Sequence, residues 1–125
     1  MGRSPPYRPG GVLSVGFTDR VPEFDDIKAG TAASPQMPTD APALVVFGYA
    51  FGSQAGDRMR LRIDGPDGEL IDETLELDRP QAQLFRAVGK KLTSASWPAG
   101  EYTGTVTLQR DGREIDRVQG TTIVR

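Results

Sequence analysis

The stretch from Trp97 to Arg125 constrains the fold more than any other part of the chain. From Tyr102 to Leu108, apolar or small residues alternate with threonines. A period of two is typical of a strand with one buried face. Asp111-Gly112 follows, a dipeptide that accepts the positive φ angles of a tight hairpin turn, and the chain then returns in a segment rich in Thr, Ile and Val. The sequence therefore predicts a C-terminal β-hairpin against which the other elements pack.

The same alternation recurs upstream of this hairpin. Ala43–Phe51 is the most apolar stretch and predicts a central strand whose faces are both covered, or one of which meets a partner. In Arg58–Asp64, the apolar residues point inwards and three arginines point outwards. Glu69–Leu77 returns after a Gly-Pro-Asp-Gly turn, and its two halves are out of step unless a bulge lies near Ile71. Gln81–Val88 is interpreted as a further strand.

The first 40 residues are predicted to form an extended arm, and residues 41–125 a globular domain. The arm contains a candidate strand at Gly11–Phe17, one helical turn near Glu23–Ile27, and a Pro-rich linker at Thr31–Pro42. Two interpretations of the candidate strand remain open: it belongs to a separate arm, or it adds an edge strand to the domain. The second is favoured because its apolar set, Leu13, Val15 and Phe17, otherwise lacks a place to be buried.

These patterns predict an all-β protein, an immunoglobulin-like two-sheet β-sandwich of about six to seven antiparallel strands with an extended N-terminal arm. Turns between short alternating segments favour two packed sheets. The Gly-Glu-Tyr sequence that ends at Tyr102 is similar to the start of a late strand in such sandwiches, where a tyrosine anchors a corner. Trp97 is predicted to be a core or corner residue rather than a platform for a ligand.

Composition excludes several classes of function. The chain has no His and no Cys, so neither a Ser-His-Asp arrangement nor a His-ligated zinc site can be built from it alone. We therefore predict a chain that is not an enzyme and has no cofactor. A formal net charge of −2 predicts no general attraction to nucleic acid, and no apolar run is long enough to span a bilayer.

Three constellations have a structural explanation that is stronger than a functional one. Asp64, Asp67 and Glu69 flank a turn, but they lack the ligand order of a calcium loop. Gly89-Lys90-Lys91 lacks the glycine that a phosphate loop requires upstream. Arg58, Arg60 and Arg62 form a basic stripe that Asp72, Glu73 or Glu76 can balance across the sheet. An enzyme that uses carboxylates alone would need a cleft holding two acids, such as a pair drawn from Asp25-Asp26 or Asp111 and Asp116.

Five residues are predicted as candidates for binding a partner. Tyr49 and Phe51 could form an exposed aromatic patch, although burial in the core is the better prediction. Arg86, Lys90 and Lys91, with Arg79, could form a basic patch for an acidic polymer or another domain. No catalytic or metal-binding residue is predicted.

Several short motifs occur together in one known group of proteins. They are Gly48-Tyr49-Ala50-Phe51-Gly52, Gly56-Asp57-Arg58-Met59-Arg60-Leu61, Gly65-Pro66-Asp67-Gly68, Trp97-Pro98-Ala99-Gly100-Glu101-Tyr102 and Arg110-Asp111-Gly112. In this order they resemble the β-sandwich region that follows the zinc peptidase domain in lysostaphin-like peptidoglycan endopeptidases of alphaproteobacteria. The start of the chain, Ser4-Pro5-Pro6-Tyr7-Arg8-Pro9-Gly10-Gly11-Val12-Leu13, resembles the segment that leaves that peptidase domain.

The resemblance implies a non-catalytic accessory domain of a secreted or periplasmic peptidase that cuts peptide cross-links of the cell wall. No catalytic position of that family can be assigned here, because its zinc ligands include His. The implied partners are the upstream peptidase domain, and peptidoglycan or another envelope protein; the implied location is periplasmic or extracellular. Met1 is not followed by the apolar core of a signal peptide, so we expect the natural chain to begin further upstream. The alternative is a stand-alone β-sandwich module that binds a glycan or a protein.

Overall fold

A computed structural model describes residues 10–125, which form eight strands and one short helix. The elements in chain order are β1 (Gly11–Thr18), α1 (Phe24–Ala29), β2 (Gln36–Met37), β3 (Ala43–Ser53), β4 (Arg58–Gly65), β5 (Gly68–Glu76), β6 (Gln81–Lys91), β7 (Gly100–Arg110) and β8 (Arg113–Val124). The prediction of an all-β protein is confirmed. The number of strands in residues 10–125 is eight rather than six or seven, because the two-residue strand β2 lies in the Pro-rich segment that was interpreted as a linker.

The strands form two sheets that pack face to face. One has the order β1-β3-β6 and the other the order β2-β8-β7-β4-β5. Among the strands of residues 10–125, every pairing is antiparallel, as predicted, except that of the additional strand β2 with β8, which is parallel. Without β2, the two orders match the A-B-E and G-F-C-C′ sheets of an immunoglobulin-like sandwich. The predicted fold class is therefore confirmed.

The core lies between the inner faces of the two sheets. The alternation in β4 places Met59, Leu61 and Ile63 there with no exposed surface, as predicted. Two glycines let the sheets approach closely. A Cβ atom on Gly48 of β3 would lie 2.7 Å from Val106 Cγ1, and one on Gly104 of β7 would lie 2.6 Å from Val46 Cγ2. The larger core residues with less than a few per cent of their surface exposed include Phe17, Leu44, Leu77, Leu84, Tyr102 and Leu108.

Strand β1 is the edge of the three-stranded sheet and pairs with β3 along its length. The expected apolar set is partly wrong. A bulge between Val12 and Ser14 shifts the register, so Val12 is buried and Leu13 is 51% exposed, whereas Phe17 is buried as expected. Strand β2 is held against the end of β8 in the other sheet, so residues before Ala41 contribute to both sheets of the sandwich.

The corner that precedes β7 is fixed by two aromatic side chains. The Tyr102 hydroxyl donates a hydrogen bond of 2.7 Å to the carbonyl oxygen of Pro98, four residues upstream. This is the tyrosine corner of immunoglobulin-like sandwiches, as the sequence predicts. Trp97 is 6% exposed, and its indole Nε1 donates to the carbonyl oxygen of Ala41 at 2.8 Å. Trp97 is thus a buried corner residue that ties this loop to the chain before β3.

The predicted turns and bulge are also present. Asp111 and Gly112 have φ angles of 54° and 76°, the positive values expected for a two-residue hairpin. Between β4 and β5 the register moves from Ile63 opposite Ile71 to Asp64 opposite Glu69, so Leu70 is the extra residue. The bulge predicted near Ile71 is therefore confirmed. It puts the two halves of β5 into a common register with β4.

A buried ion pair joins the turn after β3 to the end of β7. Arg110 donates two hydrogen bonds to Asp57, Nε to Oδ1 at 2.8 Å and Nη2 to Oδ2 at 2.7 Å. The side chain of Asp57 is 1% exposed and that of Arg110 is 18% exposed. Burial alone would raise the pKa of Asp57, but hydrogen bonds from Arg110 and from the backbone N–H of Gln54 lower it below its ordinary value.

Helix α1 spans Phe24–Ala29, where the sequence predicts one helical turn. Within residues 10–125, no helix is long and apolar enough to cross a membrane.

Candidate functional site

The outer face of the three-stranded sheet is only partly covered by the chain itself. Phe24 of α1 packs edge-on against Tyr49 with 5.8 Å between ring centroids, and it lies 5.3 Å from Phe85. Ile27, one turn later, is 4% exposed. The helix thus covers the middle of this face. This explains why β3 carries apolar residues on both of its faces.

Beyond the helix, the same face has an open apolar groove of about 490 Å³. We call it the apolar groove. Its lining comes from the segment after β1, the start of β3 and the end of β6. These residues are Asp19, Arg20, Val21, Pro42, Ala43, Val45, Ala87, Val88, Gly89, Lys90 and Lys91. Its volume is within the range of sites that hold a small molecule or a few side chains of a partner.

The groove exists because small residues meet where β3 and β6 pair. Ala43 lies opposite Lys91, and Val45 lies opposite Gly89. A Cβ atom on Gly89 would lie 2.7 Å from Val45 Cγ2. Glycine at this position of β6 therefore leaves room for the side chain of Val45 on the neighbouring strand β3. With Ala87 next on the same face, these side chains leave a hollow that larger residues would fill.

The rim of the apolar groove is mostly basic. Arg20 forms an ion pair with the adjacent Asp19 at 2.8 Å, and this hydrogen bond lowers the pKa of Asp19. Lys90 and Lys91 form no ion pair with any carboxylate of residues 10–125. Val21 stands on the rim with 71% of its surface exposed. The groove therefore combines an apolar floor with unneutralised positive charge.

The five predicted partner-binding residues do not form one patch. Lys90 and Lys91 line the apolar groove, as described above. Tyr49 is half-buried beneath Phe24, and Phe51 is 36% exposed at the opposite end of β3. Arg86 lies opposite Gly48, so its side chain starts from the inward-facing side of edge strand β6, and its Nη1 donates to the carbonyl oxygen of Phe85 at 2.8 Å. The structure therefore places two of the five at the same groove, although Lys90, opposite the inward-facing Leu44, and Lys91 leave β6 on opposite sides of the sheet.

The outer face of the five-stranded sheet is polar and carries the predicted arginine stripe. Arg60 Nε donates to Asp72 Oδ1 at 2.8 Å, and Arg62 Nε and Nη2 both donate to Asp64 at 2.9 Å. The hydrogen bond from Arg60 lowers the pKa of Asp72. Two arginines of the stripe are thus neutralised, Arg60 by Asp72 across the sheet as expected and Arg62 by Asp64 of its own strand, whereas Arg58 forms no ion pair with a carboxylate of residues 10–125. The carboxylate of Asp64 accepts both hydrogen bonds from Arg62. Among the described residues, no group of three or more acidic side chains is arranged to hold a metal ion.

No family model matches the chain, and no curated protein matches it significantly. Among solved structures, the chain is similar to Bifidobacterium dentium β-glucuronidase complexed with coumarin-3-O-glucuronide, with a TM-score of 0.53 and 18% sequence identity. That match covers 93% of this chain and 18% of the glucuronidase chain. A Niemann-Pick type C2 protein from the Japanese carpenter ant matches with a TM-score of 0.49 and 9% identity over 94% of each chain. The glucuronidase match supports the sandwich fold.

Sequence reasoning identified the lysines of the apolar groove but not the groove. Its floor consists of Ala43, Ala87 and Gly89, which are too ordinary to attract notice in a sequence. Their importance comes from the pairing of β3 with β6, which places them side by side. Arg20 and Val21 were also missed, because the chain segment before α1 gives no sign that it runs along the sheet.

Proposed function

We propose that this chain is a non-catalytic interaction domain that docks another protein domain in the apolar groove. The observation that carries the proposal is the groove itself, an open apolar hollow of about 490 Å³ beside the exposed side chain of Val21. Open apolar surface on a sheet face is typical of a contact site. Burying one Val- or Leu-sized side chain in it would stabilise a complex by about 1.5–3 kcal/mol.

The chemistry of the groove defines the segment that would bind there. The apolar floor accepts an aliphatic or aromatic side chain, and Lys91, whose side chain leaves β6 on the outer face, attracts a carboxylate next to it. Arg20 contributes less because Asp19 already neutralises it. Complementary charge at a rim mainly increases the rate of association and the specificity of docking. The partner is therefore expected to present an apolar residue flanked by Asp or Glu.

The partner we propose is the zinc peptidase domain of the same polypeptide. This identification is supported by the resemblance of the chain to the sandwich region of lysostaphin-like peptidoglycan endopeptidases. In that arrangement the sandwich would position the peptidase relative to the cell wall, in the periplasm or outside the cell. The absence of His and Cys is compatible with this role, because all zinc ligands would then belong to the peptidase domain.

The test is to ask whether the two domains tumble as one body in the full-length protein. The rotational correlation time of the sandwich, measured by ¹⁵N relaxation, should match the mass of the whole protein. An Ala87→Glu substitution puts a negative charge on the floor of the groove and should restore independent tumbling. Ala82→Glu is the matched control, because Ala82 is exposed on the same strand outside the groove.

Independent tumbling of the unsubstituted domains would contradict docking. So would an Ala87→Glu variant that remains folded and tumbles with its partner as before.

A further inference from the structure

A second cavity lies on the outer face of the five-stranded sheet, far from the apolar groove. Register places two rows of residues side by side across β4, β7 and β8. In the first row, Thr107 lies between Arg60 and Arg117. In the second, Thr105 lies between Arg62 and Gln119. Each row has a short side chain flanked by two long ones, so the rows form a trough along β7, which we call the polar trough.

The polar trough encloses about 220 Å³. Its lining consists of Arg60, Arg62, Asp64, Thr105, Thr107, Arg117 and Gln119, all of them polar. Thr107 forms part of the floor and is 5% exposed, since the long side chains on both sides shield it. The volume is below the range of about 300–1,000 Å³ typical of drug-sized ligands, and so it fits one small polar unit at a time.

The side chains that line the polar trough present hydrogen-bond donors and acceptors but carry little net charge. Arg60 binds Asp72 through Nε and Nη2, and Arg62 binds Asp64 in the same way. These bidentate pairs neutralise both guanidinium groups and hold them in fixed orientations. Arg60 donates to Asp72 through Nε and Nη2 only, and its Nη1 group forms no hydrogen bond with any described residue. Nη1 is therefore a donor that a ligand can use.

The remaining residues supply the complementary groups. Gln119 Nε2 donates to Thr105 Oγ1 at 3.1 Å, which leaves the Gln119 amide oxygen as an acceptor and the Thr105 hydroxyl as a donor. Arg117 is paired with Glu114 at 2.8 Å and keeps 56% of its side chain exposed, so it can adjust to a ligand.

We propose that the polar trough is a binding site for saccharides, with one sugar ring seated over Thr105 and Thr107. A sugar hydroxyl both donates and accepts a hydrogen bond, which matches a wall that presents both kinds of group. A strong anion such as phosphate fits poorly, because carboxylates already neutralise Arg60 and Arg62. A peptide with apolar side chains finds no apolar lining here. The trough lacks an aromatic side chain for stacking, so recognition depends on hydrogen bonds.

The site is independent of the docking role proposed for the apolar groove. It lies on the other sheet and shares no residue with the groove. A sandwich bound to a partner through the three-stranded sheet would therefore leave the trough open.

The test is an NMR titration of this chain with chitotetraose, cellotetraose and maltotetraose, followed through backbone amides and the Nε–H groups of Arg60 and Arg62. We expect at least one of these neutral tetrasaccharides to shift the signals of Thr105, Thr107 and the two arginines, with a millimolar dissociation constant. A Thr105→Val/Thr107→Val double variant keeps the shape of both side chains and removes both hydroxyls. It should weaken this binding at least tenfold. Thr93→Val, the same change at an exposed loop position, should leave the binding unchanged.

Other results would overturn the proposal. One is the absence of shifts at the trough with all three sugars, since the site is inferred from hydroxyl chemistry that they share. Another is binding that the double variant retains while its amide spectrum shows an intact fold. Inorganic phosphate and hexaglutamate serve as competing probes. Tighter binding of either at the same residues would identify an anion or acidic-peptide site instead.

Discussion

Removing one partner of the ion pair between Asp57 and Arg110 is expected to destabilise the fold strongly, because it leaves the other charge without its partner. We consider Arg110→Met, which keeps much of the side-chain length and removes the charge, and Asp57→Asn, which keeps the size of the carboxylate. Arg110 also donates to the carbonyl oxygen of Gly52 at 3.1 Å. The pair therefore fixes the turn after β3 to the end of β7.

The expected magnitudes follow from burial and hydrogen bonding. Arg110→Met leaves a carboxylate that is 1% exposed with one remaining donor, the N–H of Gln54. Breaking a buried ion pair costs about 3–5 kcal/mol, and we expect about 3 kcal/mol because Arg110 is 18% exposed. Asp57→Asn should cost about 2 kcal/mol, since the amide keeps an acceptor but cannot match both donors of the guanidinium group. The double variant should be less destabilised than the sum of the two, with a coupling energy of about 1–3 kcal/mol.

Chemical denaturation of the four proteins at pH 7, repeated at lower pH, would measure these values. The pKa of Asp57 is lower in the folded than in the unfolded state. Its contribution to the free energy of unfolding is therefore complete above the unfolded value of about 4, and it is lost as the pH falls from there towards the folded value. The unsubstituted protein should lose stability over this range more steeply than Asp57→Asn, although other carboxylates contribute equally to both slopes. Additive single variants and parallel pH profiles would refute the reasoning.

Three further substitutions test other parts of the sandwich, two by thermal or chemical denaturation and one by dye binding. Tyr102→Phe removes the hydrogen bond to Pro98 and should destabilise the fold by about 1 kcal/mol; no measurable loss would argue against an energetic role for the corner. Gly104→Ala places a Cβ atom 2.6 Å from Val46 Cγ2 and should cost about 1–3 kcal/mol, and a neutral result would mean that the sheets can separate easily. Phe24→Ala should expose the middle of the three-stranded sheet and increase binding of the dye ANS; unchanged dye binding would contradict the covering role of α1.

The parts of the fold that the sequence predicts depend on local physics. The buried residues of β4 follow from strict alternation, and the turn at Asp111-Gly112 follows from a dipeptide that tolerates positive φ. The bulge beside Ile71 was predictable because two apolar patterns in one strand disagree by one residue. In each case the signal lies within a few residues of the feature.

Other features depend on which strands become neighbours. Leu13 was expected inside and is outside, because the bulge in β1 follows from its register with β3. Strand β2 has two residues between prolines and gains its order by pairing with β8. The prediction of one basic patch from Arg86, Lys90 and Lys91 depends on their charge alone. In the strand, the side chains of Lys90 and Lys91 leave the sheet on opposite sides, and Arg86 lies outside the groove.

Both candidate sites show the same limit of sequence reasoning. The floor of the apolar groove contains three small residues from two strands, and the floor of the polar trough contains two threonines between arginines from other strands. Each set is conspicuous only after register places its members in one row. A cavity forms where small side chains from different strands become neighbours. The sequence does not show which strands pair, so it does not predict where these small residues come together.

The two outer faces of the sandwich differ in polarity, and the packing of the core between the inner faces does not determine this difference. The core needs only the inward residues of each strand, so the outward residues are free to vary with what each face contacts. On the three-stranded sheet they are apolar and partly covered by α1, with the uncovered part forming the groove. On the five-stranded sheet they are polar and paired by charge around the trough. Because no residue lines both cavities, a substitution in one should leave binding at the other intact, and the two proposed roles can be separated in a single folded protein.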